Sequence, residues 1–110
     1  MLFCLMATYA PSALNGLMDN PTASRVAAVS RLLDEAGGKL VSMYSTMRDG
    51  PGAMVIFDVS DPSMAPAISG VVMASGSLRD VQLMRLLSPE EVTDVRMKAA
   101  KLRSAYRPAG

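Results

Sequence analysis

Apolar residues recur along this chain in two rhythms, and each change of rhythm marks a change of element. Residues 2–8, 40–47, 53–59 and 81–87 are short, densely apolar runs bounded by turn-forming residues, which predicts four β-strands. Elsewhere the apolar positions return every three or four residues, which predicts helices. Val26, Val29, Leu32, Leu33 and Ala36 do so after Pro21-Thr22, and Gly37-Gly38 supplies the stop. Ile68, Val71 and Val72 do so after a Ser60-Asp61-Pro62 cap, in a helix expected to run to about Ala74, with Pro66 one turn inside to shorten or kink it. Val92, Val95, Ala99, Leu102 and Tyr106 form the last stripe. Ser88 and Glu91 ahead of it have the spacing of a capping box, and Pro89 falls at the first helical position. Residues 12–19 predict a short helical turn, and "RDGPG" at 48–52 predicts a tight hairpin turn.

The predicted order is β-α-β-β-α-β plus a terminal helix, an α+β sandwich with its helices on one face of a four-stranded antiparallel sheet. The strands do not alternate as a half-wetted sheet should. Leu40 and Tyr44 stand against Val41, Met43 and Met47; Val55, Phe57 and Val59 against Met54 and Ile56; Phe3 and Leu5 against Leu2, Cys4 and Met6; Val81, Leu83 and Leu87 against Met84 and Leu86. A surface that apolar needs a cover. The simplest is a second copy of the sheet, which at roughly 700 Å² per chain falls in the range of stable interfaces. The expectation is therefore a homodimer, with the chain's own terminal helix as the competing cover.

Composition narrows the function classes. A length of 110 residues makes one domain. The formal net charge of +1, from 11 basic and 10 acidic residues, gives no field to attract nucleic acid or an anionic membrane. Five cations near the C-terminal end, Arg96, Lys98, Lys101, Arg103 and Arg107, suit the negative pole of a helix. The single cysteine, Cys4, fits a reducing compartment, and the uncharged residues 1–18 are too interrupted for a signal peptide or a span, so the expectation is a cytoplasmic protein.

With no histidine, triads and zinc sites are excluded, and neither metal nor cofactor is expected. Cys4 lies among apolar residues and reads as an inert buried thiol. The ten methionines, Met6, Met43 and Met47 among them, read with Cys4 as adaptable packing ahead of a soft copper site. Such packing suits a pocket between sheet and helices. The polar residues expected to face it are Tyr9, Tyr44, Asp58 and Arg85: phenols to hydrogen-bond an oxygen, a carboxylate as base, a guanidinium to hold an enolate or carboxylate. Asp58 and Arg85 can alternatively pair across strands.

The runs "TYAP", "AGGKLVSMYSTM", "VIFDVSDPSMA" and "SLRDVQLMRLLSPEE" resemble the GYD-domain family, small bacterial proteins of uncharacterised function similar to the ferredoxin-like dimeric α/β-barrel group. The resemblance covers residues 1–92, leaving 93–110 as a C-terminal helical extension. One motif departs. Where the Gly-Tyr-Asp triplet is expected, at the entry to the third strand, this chain has Gly50, Pro51 and Gly52, then Ala53 and Met54. The resemblance implies a dimeric barrel, possible binding of an apolar small molecule, and, as an alternative, cofactor-independent isomerase, cyclase or monooxygenase chemistry. A structural assembly module is the third reading.

Overall fold

The computed structural model describes all 110 residues. Its elements run β1 (Leu2–Tyr9), α1 (Pro11–Asp19), α2 (Arg25–Glu35), β2 (Gly38–Met47), β3 (Pro51–Val59), α3 (Met64–Ala74), β4 (Leu78–Leu86) and α4 (Pro89–Leu102), closed by a 3₁₀ turn at Arg103–Ala105. The strands form one antiparallel sheet in the order β2-β3-β1-β4. This is the ferredoxin-like βαββαβ arrangement, as an open sheet that does not close on itself into a barrel.

Burial resolves what the residue pattern left ambiguous. Along β3, residues on one side (Ala53, Val55, Phe57, Val59) are buried, and those on the other (Met54, Ile56, Asp58) are half-buried. Phe3, Leu5 and Ala7 of β1 join the buried side, with Leu33 of α2 and Ala65 and Ile68 of α3 packed onto it. Phe3 and Phe57 stack across the strands, their rings 5.9 Å apart. The helix layer thus lies on one face only. On the other, Leu2, Tyr44 and Met84 are exposed and Met6, Met54 and Ile56 are partly so.

Several boundaries differ from the sequence reading. The segment after β1 is a full nine-residue helix, α1, because Pro11 occupies its first position. Helix α2 starts at Arg25, not at Pro21-Thr22, because the Ser24 hydroxyl accepts a hydrogen bond from the Ala27 N–H at 3.2 Å. Asp61 does not cap α3. Its carboxylate instead accepts from the Ser63 N–H and hydroxyl at 3.0 and 2.8 Å, and the helix begins at Met64. Pro66 is therefore in the first turn, where no N–H partner is required, and introduces no break. Strand β4 begins at Leu78, three residues early. Its polar Arg79 and Asp80 sit at a bulge opposite Met6 and Thr8, where Asp80 adopts φ 53°.

The terminal helix does not roof the bare face. Its capping box is present, with Ser88 and Glu91 satisfying each other's backbone N–H, yet no residue of α4 is buried. Val95 and Leu102 are 49% and 65% exposed. The helix projects, giving a radius of gyration of 17.4 Å where a compact chain of this length has about 13 Å.

Candidate functional site

Between sheet and helices lies a cavity of about 490 Å³. Its floor is Leu5, Ala7 and Tyr9 of β1 with Ala53, Val55 and Phe57 of β3, and its walls come from α1, α2 and α3. The space follows from residue size. Ala7 and Ala53 are partners in the β1–β3 register, and Ala13, Gly16 and Ala28 look onto them from the helices. Small residues on both layers hold helix and sheet apart, because the larger Leu5, Leu33 and Phe57 beside them set the spacing. A second, more open hollow of about 600 Å³ adjoins it, lined by Tyr44, Met18, Pro51 and the start of α2; Tyr9, Leu17, Arg25 and Met43 belong to both.

Of the four polar residues expected to face such a cavity, one does so. Tyr9 lines it. Tyr44 lies on the edge strand opposite Met54, 59% exposed, and reaches only the second hollow. Asp58 stands on the bare face, where its carboxylate takes an ion pair from the Met1 amino group at 2.8 Å. That hydrogen bond, then the charges of Lys39 and Arg85, holds the Asp58 carboxyl below the usual aspartate range. Arg85 stacks its guanidinium 5.5 Å over the Phe3 ring, donates to the Leu2 carbonyl at 3.2 Å and pairs with Glu91. The Asp58–Arg85 cross-strand pair therefore does not form; each finds a nearer partner. Arg85 serves as the joint between β4 and the start of α4. Glu91, held by the Ser88 N–H and by Arg85, has its carboxyl lowered as well.

Sequence reasoning missed Arg25 and Asn20, the polar residues the helices bring to the cavity. Arg25 was readable only as a charge beside an apolar stripe. The sulfur-bearing residues divide between the layers: Met43 lines the cavity, whereas Cys4 and Met6 pair with Ile56 and Met54 on the bare face. Burial pushes the Cys4 thiol up, so it stays protonated at neutral pH.

The model of the GYD domain matches residues 3–95. The chain belongs to the GYD domain family. No curated protein matches it. Among solved structures, this GYD-domain chain is similar to the 5-chloro-2-hydroxyhydroquinone dehydrochlorinase TftG from Burkholderia phenoliruptrix AC1100, in complex with 2,5-dihydroxybenzoquinone. The two superpose with a TM-score of 0.55 at 16% identity, over 82% of this chain and 97% of the other. Identity that low establishes a shared fold and no more. The family match spans Gly50-Pro51-Gly52 at the hairpin as well.

Proposed function

We propose that this GYD-domain protein is a homodimeric small-molecule-binding domain, each copy holding an apolar or aromatic ligand between sheet and helices. The cavity carries the proposal. Its volume lies within the range of about 300–1,000 Å³ typical of ligand sites, and its wall is mostly apolar with a few polar groups, Tyr9, Asn20, Arg25, Ser75 and Ser77, to orient a guest. TftG was solved with a hydroxylated quinone, which supports a ring-sized ligand for this fold.

The dimer is supported by surface area. A folded monomer of 11.6 kDa exposes about 5,800 Å². This chain exposes 7757 Å², an excess more than twice the roughly 800 Å² that a standard interface removes from each partner, with the projecting α4 contributing the remainder. The bare sheet face, with Leu2, Met6, Met54, Ile56 and Met84, is the surface two copies would share. A cytoplasmic setting, in which Cys4 stays reduced, completes the reading, with 93–110 as an extension of the domain.

An enzymatic role in the same cavity is the second reading, favoured by the dehydrochlorinase activity in TftG's description. Binding stands ahead of it on chemistry. The wall holds no carboxylate and the chain no histidine, so proton transfer there would rest on Tyr9 alone. Titration with the neutral fluorophore 2-naphthalenemethanol tests the proposal. Saturable binding to the native protein, abolished by Ala28→Phe at the cavity wall with the circular dichroism spectrum unchanged, is expected. Absence of binding to the native protein, or equal binding to both, refutes it.

A further inference from the structure

We infer that the ligand is a small aromatic oxyanion, a carboxylate or acidic phenolate, whose ring enters the cavity and whose charge meets Arg25 at its mouth. The inference rests on the binding role proposed above and adds the ligand's charge to it.

Arg25 is the only charged residue on the wall. The ion pairs of the chain are Met1–Asp58, Arg85–Glu91 and Lys98–Asp94, and Arg25 takes part in none of them. Its place on the helix gives it no complement within the chain. Arg25 is the first residue of α2, at the positive pole of the helix dipole, and the first turn of α2 contains no acidic residue to offset it. A cation held there gains nothing from its own chain and is relieved by an anion from outside. The rest of the wall carries no charge and is mostly apolar, so an anion bound against it is less screened than at an open surface.

The position of Arg25 divides the ligand into two parts. Tyr9 and Arg25 belong both to the cavity and to the open hollow beside it, so they stand where the two meet. Inward lie Leu5, Ala7, Leu33 and Val55, which offer contact to a ring and no hydrogen bond. The Tyr9 hydroxyl has no hydrogen-bond partner in the chain and can donate to the same oxyanion. A planar ring with its acidic oxygen on the rim satisfies both regions at once. A neutral ring leaves Arg25 without a partner, and an ammonium or a diacid would set like charge against it or place a second charge against the apolar floor. Room is not limiting, since an apolar cavity of about 150 Å³ already accepts benzene.

Three ligands and two variants test this. 2-Naphthoate and its neutral counterpart 2-naphthalenemethanol are titrated into the wild-type protein, Arg25→Gln and Ala28→Phe, and 4-nitrophenol is titrated into the wild type on either side of its ionisation. The naphthoate is expected to bind at least 10-fold more tightly than the alcohol to the wild type, with Arg25→Gln removing that advantage by weakening the naphthoate far more than the alcohol. The nitrophenolate is expected to bind more tightly than the nitrophenol, and Ala28→Phe to lose all of them. If naphthoate and alcohol bind the wild type equally, or if Arg25→Gln weakens both alike, the charge assignment is overturned and the cavity survives as a neutral site. If neither binds the wild type, the binding role itself fails, and this inference with it.

Discussion

Ala7 and Ala53 face each other across the two central strands, and both form part of the cavity floor. Both are buried by the fold around them, yet neither fills the layer it belongs to. A larger residue here has somewhere to go. Ala7→Leu is expected to raise stability by about 1–2 kcal/mol, since its added carbons enter empty apolar space instead of an occupied core. It should also abolish binding of 2-naphthalenemethanol. Urea unfolding and the fluorescence titration check the two halves, and opposite signs are the mark of a void kept open for a guest.

One strand residue earlier, no such room exists. A Cβ on Gly52 would run into the backbone carbonyl of Ala7 and come within 2.8 Å of the Thr46 hydroxyl oxygen, so both neighbouring strands crowd it. Gly52→Ala is expected to destabilise the protein by about 2–3 kcal/mol, measured as a lower urea midpoint with an unchanged slope.

The base of α4 should be acid-sensitive. The Ser88 N–H and then Arg85 lower the Glu91 carboxyl, so the folded chain binds fewer protons there than the unfolded chain does. The stability Glu91 contributes is complete above the ordinary glutamate range, near a pKa of about 4.3, and is lost as pH falls through the lower folded-state value. Asp58 and Asp61, also lowered, act in the same direction. Thermal melts between neutrality and strong acid should show Glu91→Gln losing part of the pH slope. Ser88→Ala should cost about 1 kcal/mol at neutral pH by removing the cap.

Cys4 is 4% exposed in the centre of the sheet, and its thiol is kept protonated by burial. Alkylation by iodoacetamide at neutral pH is expected to be negligible in the native protein and rapid in denaturant, followed by mass spectrometry.

The bare face supplies the last prediction. Ile56 is half-buried there, beside Cys4 and Ser42. Ile56→Lys would place a charge at the centre of the proposed contact and should convert a dimer to a monomer in light scattering, with the helix layer and its cavity intact. A native chain that scatters as a monomer at every concentration removes the dimer.

Element order and layer arrangement were legible in the sequence because Phe3, Leu5, Val55 and Phe57 leave few ways to bury themselves and because Gly37-Gly38 and Ser88-Pro89 punctuate the chain. Helix starts were less so, since Pro21 and Ser24 are both plausible openings and only the Ala27 N–H decides between them. A cavity between sheet and helices was expected, and Tyr9 lines it, whereas Tyr44 and Asp58 stand on the other face of the sheet. Tyr44 and Asp58 belong to strands apolar on both faces, so parity could not say which residues turned towards the helices, and the bulge at Leu40–Ser42 shifts the parity of β2 besides. Ala7 and Ala53 read as unremarkable core, because a missing volume leaves no trace in a hydrophobic pattern.

Helix α4 meets the domain through its Ser88 cap and the clasp of Arg85 on Glu91, and from there it extends into solvent with its apolar stripe uncovered. None of its residues lines the chamber. A fluorophore, affinity handle or surface tether attached near Lys101 or Arg107 would therefore report on the protein without troubling whatever the chamber holds.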